Sequence, residues 1–287
     1  MAGFRHSTAP SANPQLTKPS ARPRSIEAEA RRLASPGSVD GTLLLVGGCD
    51  LTHFRLRVAQ SHVRSDMAPS FWSHIGILCE EPSGLALYEA ALDPPTGFPQ
   101  MPKTNGIQRA SVRRYEDGAL FPNIALLRFP VPRPDDPPAG RSAPSEPAAS
   151  AIARGIKSVR DQRGVLDIPA LVLPWLAFVW GAGMPTNPLI GGTGIPGAVF
   201  AEAAFAAIGV ELTPGLSTRS SCPEAIWQAA RWWYAFYADR GPAPAAAGSQ
   251  PSSTTDRHPT GLYWLGQPEA AYVERASAEE TSPPRPG

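Results

Sequence analysis

The chain has 287 residues, a length that fits one large domain or two small ones, and 42% of them are apolar, enough to bury a core. Lys and Arg number 26 against 25 Asp and Glu, so the charge balance gives no reason to expect a nucleic-acid partner or an anionic membrane. Pro accounts for 34 residues, roughly twice the usual share of ~5%, which predicts a globular centre with Pro-rich flanks.

Three stretches have the composition of segments that do not fold by themselves. Residues 1–38, 130–150 and 239–287 are rich in Pro, Ala and Ser and contain few large apolar side chains. Burial therefore cannot offset the entropy lost when they are ordered. We predict a disordered arm at 1–38, a folded domain at 39–238 with a Pro-rich excursion at 130–150, and a mostly disordered tail at 239–287.

Two segments inside these flanks carry folding signals of their own. Residues 25–33 (SIEAEARRL) predict a short helix with Ser25 as its N-cap. Residues 261–272 contain too many aromatic side chains for a free tail, which indicates a segment that docks back on the domain. The N-terminus has no apolar stretch typical of a secretory signal, so we expect a cytoplasmic protein, with secretion by a non-classical route left open.

The centre of the chain alternates strand and turn signals. Short apolar runs bounded by turn residues predict strands at 41–46, 72–80, 85–91, 106–112 and 123–129. Residues 81–84 (EPSG) have a turn composition, so the second and third strands are expected to form a β-hairpin. Helical patterns follow at 149–163, 197–208 and 221–237. Pro223 suits the first turn of the last helix and places Cys222 at or next to its N-cap.

The segment after the first predicted strand has an amphipathic helical pattern. Leu51, Phe54 and Val58 fall on one face of such a helix, with Arg55 and Arg57 at more exposed positions. A solvated amphipathic helix is the preferred interpretation. A metal site would require ligands that share a face, and none align convincingly.

Residues 168–201 contain no charged side chain, which raises the question of a membrane segment. Five prolines and several glycines interrupt this stretch, so no run of about 20 apolar residues remains that could form a spanning helix. We interpret 171–180 as a buried core segment, with a hydrophobic surface lobe as the alternative.

His74 is the candidate catalytic residue, because it stands inside a strand pattern that would hold its ring rigidly. Glu89 lies on the partner strand of the predicted hairpin, and a turn at 81–84 makes the two side chains near cross-strand neighbours. A carboxylate there would fix the imidazole tautomer and stabilise the imidazolium, as the acid does in a nucleophile–His–acid triad. The alternative is a hydrogen-bonded His and a surface Glu on an ordinary hairpin.

The three cysteines, Cys49, Cys79 and Cys222, form no disulfide framework and have no zinc-binding spacing, and we predict no metal and no cofactor. Cys79 shares a strand face with Ile75 and Ile77, opposite His74, and is expected to lie in the core. Cys222 begins a helix, where thiol pKa values are lowered, which makes it the candidate nucleophile. The alternative is a helix-start residue in place of Ser or Thr.

The run Ser73-His74-Ile75-Gly76-Ile77, followed by Tyr88-Glu89-Ala90, resembles the SHVGI…(I/V)EA motif of permuted NlpC-type papain-like proteins, the YiiX-like group. The likeness continues in order from about Asp40 to Trp233. Residues 40–45 are similar to the opening GDLLL strand of the family. Residues 200–215 (FAEAAFAAIGVELTPG) are similar to its LVAEAF…GI.L.PG helix and turn, and 222–227 (CPEAIW) to its later (T)PxDFW element.

The resemblance implies a circularly permuted papain-like α+β domain with a small antiparallel barrel-like sheet packed against helices. His74 would be the general base and Glu89 the residue that orients it. The nucleophile of the family belongs in a Cys-Ser pair that aligns with Gly197-Ala198, where this chain has no thiol. Family substrates would be amide bonds of cell-wall peptides or ester and amide bonds of lipids.

Three functions follow from these observations. The first is a degenerate enzyme that keeps His74 and Glu89 and uses its cleft to bind a peptide, a lipid-like molecule or a protein partner. The second is an active cysteine hydrolase or acyltransferase in which Cys222, His74 and Glu89 act together. The third is a non-catalytic scaffold for protein contacts, whose Pro-rich arms supply docking segments.

Overall fold

The computed structural model describes residues 25–34, 38–92, 106–129, 148–161, 167–181, 185–238 and 263–264. The helices of this part of the chain are α1 (Ile26–Ala34), α2 (Leu51–Ala59), α3 (Ala148–Asp161), α4 (Ile168–Trp180), α5 (Pro196–Ala206) and α6 (Pro223–Ala238). Its strands are β1 (Thr42–Gly47), β2 (His74–Glu81), β3 (Gly84–Glu89), β4 (Gln108–Ser111), β5 (Asn123–Arg128) and β6 (Tyr263–Trp264). The architecture is therefore α+β.

The strands form one antiparallel sheet in the order β4-β3-β2-β1-β5-β6. β1 lies between β2 and β5, and all six of its residues are buried. A strand that is covered on both faces needs apolar side chains at successive positions, which explains its sequence TLLLVG. In the described residues β4 and β6 are edge strands that do not pair with each other, so the sheet is open. The barrel-like sheet that the resemblance implied is not observed.

Alternate residues of the central strands face two separate apolar clusters, as the period of two in a strand requires. Leu43, Leu45 and Ile75 pack with side chains of the C-terminal helices, among them Ile156 and Phe200. The opposite face is covered by α1 and by the 3-10 helix Val112–Tyr115. Helical segments from both sides of the sheet therefore reach the start of β2, namely α5 on one side and the 3-10 helix Val112–Tyr115 on the other.

The five predicted strands and the three C-terminal predicted helices are all present, with ends within two residues of the predicted ones. The docking expected of 261–272 also has a counterpart, because β6 pairs with β5 through Leu127 and Arg128. Most of the predicted tail, the excursion from 130 to 147 and residues 1–24 lie outside the described residues.

The folded part of the chain begins earlier than the predicted arm at 1–38 allows. α1 buries Ile26, Ala30 and Ala34 against the sheet. Its N-cap is Ser25, as predicted: the hydroxyl accepts a hydrogen bond from the Ala28 amide at 3.2 Å. A short helix that is marginal by itself is thus stabilised by the apolar face on which it packs.

The orientation of α2 is the reverse of the one that its amphipathic pattern predicts. The buried residues are His53, Leu56 and Ala59, whereas Leu51, Phe54 and Val58 are exposed. Asp50 caps the helix by accepting a hydrogen bond from the His53 amide at 2.8 Å, which fixes where the helix begins. The face with Leu56 and Ala59 packs on the core, and His53 hydrogen-bonds to Ser73. The expectation of an inward apolar stripe is therefore wrong.

α4 is partly a buried core segment and partly an apolar surface, so each interpretation of 171–180 holds for some of its residues. Trp175 and Val179 are buried, whereas Leu173 and Trp180 are exposed, so one stripe belongs to the core and the rest forms a surface. None of the described helices is both long enough and apolar enough to cross a bilayer.

Candidate active site

His74 is the first residue of β2 and Glu89 the last residue of β3. Glu89 pairs directly with Gly76, two residues beyond His74, because the hairpin turn contains only Pro82 and Ser83. The predicted turn gave a register that was two residues off. A shift of two leaves both side chains on the same face, so His74 and Glu89 are diagonal neighbours there.

The two side chains form a buried hydrogen-bonded pair, with 2.8 Å between His74 Nε2 and Glu89 Oε2. Because a carboxylate only accepts hydrogen bonds, Nε2 is the protonated nitrogen, and Nδ1 of the neutral ring carries the free electron pair. Nδ1 is therefore the atom that could take a proton from a substrate or a nucleophile.

Glu89 is held by two further donors that sequence analysis did not identify. The Tyr115 hydroxyl donates to Oε2 at 2.8 Å, and Arg114 Nη1 donates to Oε1 at 3.2 Å. The Tyr115 ring also stacks on His74, with 5.7 Å between the ring centroids. Both residues belong to a 3-10 helix far along the chain from His74, and no local pattern connects them.

The charge of Glu89 is set by two opposing effects. Burial alone would raise the pKa of its carboxyl, but the hydrogen bonds from His74 and Tyr115 and the nearby charges of His74 and Arg114 hold that pKa below its ordinary value. Glu89 is thus an anion at neutral pH. It can hold the imidazole in one tautomer and stabilise the imidazolium after proton transfer.

Gly197 lies at the start of α5 and faces His74. A Cβ added there would be 3.6 Å from Cε1 of His74 and 2.7 Å from the carbonyl oxygen of Ile75. The backbones of α5 and β2 therefore approach so closely that any side chain requires a small shift. This position, which the resemblance aligns with the family nucleophile, is adjacent to the imidazole and carries no reactive atom.

Cys222 immediately precedes α6 and is fully buried beside Trp175 and Ile195. Burial raises the pKa of its thiol to about 12, although backbone amides of Ala225 and Glu224 act in the opposite direction. A thiol in this environment is protonated at neutral pH, whereas a nucleophilic cysteine needs a lowered pKa. The structure shows no hydrogen bond between Cys222 and His74 in the residues it describes.

A cavity of about 10 Å³ adjoins His74, enough for roughly one water molecule. Its lining comes from α2, the start of β2, the segment after β3 and the residue before α5, and consists of Thr52, His53, Leu56, Ser73, His74, Ala90, Leu92 and Ile195. His53 Nδ1 is 2.8 Å from the Ser73 hydroxyl. Across the described ranges, no group of three or more His, Cys, Asp or Glu side chains could hold a metal ion.

Two buried glutamates attach the helices around this site. Glu202 of α5 accepts hydrogen bonds from Thr213 and Ser221, which ties α5 to the segment that leads to α6. Glu224 of α6 accepts from Ser70 at 2.6 Å, ahead of β2. These contacts fix the start of α5 relative to the start of β2, and hence Gly197 relative to His74.

No family model matches the chain, and no curated protein matches it.

Glu202 gives a prediction about pH. Burial, the largest influence, raises the pKa of its carboxyl above the ordinary value. The native state therefore favours the protonated form of Glu202. The stability that this preference contributes is fully present below about pH 4 and is lost as the pH rises through the native pKa. We expect Glu202→Gln to unfold at higher urea concentration than the wild type at pH 8 but not at pH 4. Glu211→Gln, at an exposed position nearby, is the control and should leave the pH dependence unchanged.

Proposed function

We propose that this chain is a circularly permuted papain-like hydrolase-fold protein that has kept the general base and lost the nucleophile. It binds a peptide or lipid-like ligand next to His74 by enlarging the cavity of about 10 Å³ there, and it does not form an acyl-enzyme. The observation that carries the proposal is the position of Gly197, whose added Cβ would be 3.6 Å from His74 Cε1.

The chemistry of such a site follows from the retained atoms. A thiol on the side chain of residue 197 would lose its proton to Nδ1 of His74, while Glu89 holds the N–H of Nε2. With glycine in place, no sulfur or oxygen is available to attack a carbonyl carbon. The imidazole of His74 remains able to hydrogen-bond a polar group of a ligand.

The competing function is a cysteine enzyme that uses Cys222. Its position at the start of α6 favours this alternative, because amides at a helix start stabilise a thiolate. The burial of Cys222 and the raised pKa of its thiol count against the cysteine enzyme. The two functions differ in one measurable property, namely whether the unaltered chain forms a thioester with an activated ester.

The test restores the missing thiol. We expect Gly197→Cys to produce a cysteine that reacts with iodoacetamide well below pH 8, because His74 and the start of α5 favour its thiolate. It should also release a burst of nitrophenolate from a nitrophenyl ester, which the parent chain does not. All variants carry Cys49→Ser, since Cys49 is exposed and would be alkylated in the background.

Gly197→Ala is the matched control, because it introduces the same Cβ and the same crowding against Ile75 without a thiol. It should show neither the labelling nor the burst, and His74→Ala combined with Gly197→Cys should lose both. An introduced thiol that reacts no faster than Cys222 would contradict the proposal. So would a burst in the parent chain that Cys222→Ser abolishes, which would establish the cysteine enzyme instead.

A further inference from the structure

α4 is apolar on every side, yet the protein leaves one face of it exposed. Its sequence, IPALVLPWLAFVW, contains no charged residue. Ile168, Trp175 and Val179 are buried, whereas its other described side chains are half-buried or exposed. A helix that is apolar all round is normally enclosed by protein or by lipid. Here the described part of the protein encloses one side only.

The outward face of α2 continues this apolar region. The two helices are in contact, and Arg55 of α2 donates a hydrogen bond from Nη1 to the carbonyl oxygen of Val179 near the end of α4. We define the α2–α4 surface by its five exposed side chains, with exposed fractions in parentheses: Leu51 (62%), Phe54 (48%), Val58 (42%), Leu173 (67%) and Trp180 (64%).

We infer that the α2–α4 surface docks on an anionic lipid bilayer. α4 has 13 residues, so at ~1.5 Å per residue it is too short to span an apolar layer of ~30 Å but can lie within the interface. Trp180 stands at its end, and an indole suits the depth of the lipid headgroups.

The charges of α2 complement such a membrane. α2 itself carries Arg55 and Arg57 and no acidic residue, and Asp50 is its N-cap. Apolar side chains bordered by arginines are typical of helices that bind anionic membranes. Arg64, further along, is already paired with Asp66 and Glu224, so Arg55 and Arg57 are the residues of α2 that would face lipid phosphates.

A second copy of the chain fits the α2–α4 surface less well. A two-fold interface would place the arginines of one α2 against the same arginines of the other, which is unfavourable. The exposed residues of α4, among them Leu173 and Trp180, lie on one apolar face. A lipid phase can cover this face without matched hydrogen bonds.

The inference has a consequence for the candidate site, although it does not depend on the proposed function. The inner face of α2 supplies Thr52, His53 and Leu56 to the lining of the cavity beside His74. Docking through the outer face of the same helix brings that cavity to the bilayer surface. A ligand drawn from the membrane would then need to pass only α2 to reach it.

The experiment is co-sedimentation of the full chain with vesicles. Wild type is expected to bind mixed vesicles of phosphatidylcholine and phosphatidylglycerol more tightly than vesicles of phosphatidylcholine alone. Leu173→Asp, which places a charge in the most exposed apolar position of the surface, should lower the partition coefficient about tenfold or more. Phe54→Asp should have a similar effect if α2 and α4 act as one surface.

Leu216→Asp is the matched control, because Leu216 is 59% exposed but lies between α5 and α6, outside the surface. It should bind vesicles as the wild type does, and unchanged circular dichroism should show that every variant is folded. Equal loss of binding in Leu216→Asp would overturn the inference. A wild-type protein that does not bind vesicles would also overturn the inference. This holds whether the protein is a monomer or a dimer that Leu173→Asp dissociates, as sedimentation in the ultracentrifuge would show.

Discussion

Glu89→Ala is expected to lower the free energy of unfolding by about 3–5 kcal/mol, the cost typical of removing one partner from a buried ion pair. The carboxylate is fully buried and accepts hydrogen bonds from His74, Tyr115 and Arg114. Its loss removes the hydrogen bonds that Glu89 accepts from these three side chains and creates a cavity at the end of β3. Urea unfolding at neutral pH measures the effect.

Glu80→Ala is the control for this prediction. Glu80 lies on the neighbouring strand β2, is exposed, and pairs with Arg31 on the surface. Exposed ion pairs contribute about 0–1 kcal/mol, so this variant should stay close to the wild type. A Glu89→Ala protein as stable as Glu80→Ala would mean that the hydrogen bonds of Glu89 contribute nothing to the fold.

Glu89 also sets a pH dependence whose sign is opposite to that of Glu202. Its pKa is lowered in the native state, so the stability that it contributes is present above the unfolded pKa of about 4.3 and is lost as the pH falls through the native value. Glu89→Gln, which keeps the shape but cannot ionise, should lack this loss on acidification.

Trp175→Ala is expected to have the second large effect, again about 3–5 kcal/mol in the free energy of unfolding. The indole is fully buried in α4, and its Nε1 donates to the carbonyl oxygen of Gly194 at 2.7 Å. Gly194 leads directly into the start of α5. The substitution thus removes core volume and also the contact that holds the turn before Gly197.

The matched variant is Trp175→Phe, which keeps an aromatic ring and removes only the N–H donor. It should lose markedly less stability than the alanine variant. In the Gly197→Cys background, Trp175→Ala should also slow the alkylation of the introduced thiol, because the start of α5 is no longer fixed beside His74. If alkylation proceeds at the original rate after Trp175→Ala, Trp175 has a packing role alone.

The pairing of His74 with Glu89 shows what the sequence could provide for the site. Both residues lie on strands of one hairpin, and the parity of their positions puts them on one face even though the predicted register was two residues off. Tyr115 and Arg114 could not be found in this way. They reach Glu89 from a separate 3-10 helix, and contacts between distant segments leave no periodic signal.

The same limit explains α2. Its pattern correctly predicted a helix after β1, because helical spacing is a local property. Which face turns inward depended on the distant segments that pack against Leu56, and the apolar stripe of Leu51, Phe54 and Val58 was left outside. A sequence pattern can show that a helix has two faces without showing which one the protein covers.

The sequence by itself determined the succession of strands and helices, the hairpin, and the candidate pair of His74 and Glu89. These depend on spacing along a single segment, where backbone geometry dictates which side chains share a face. The tertiary structure alone decided that Gly197 faces His74, that the Cys222 thiol is buried with a raised pKa, and that α4 is only partly covered. Each of these depends on how segments far apart in the chain pack against one another, and packing sets distance, burial and charge environment together.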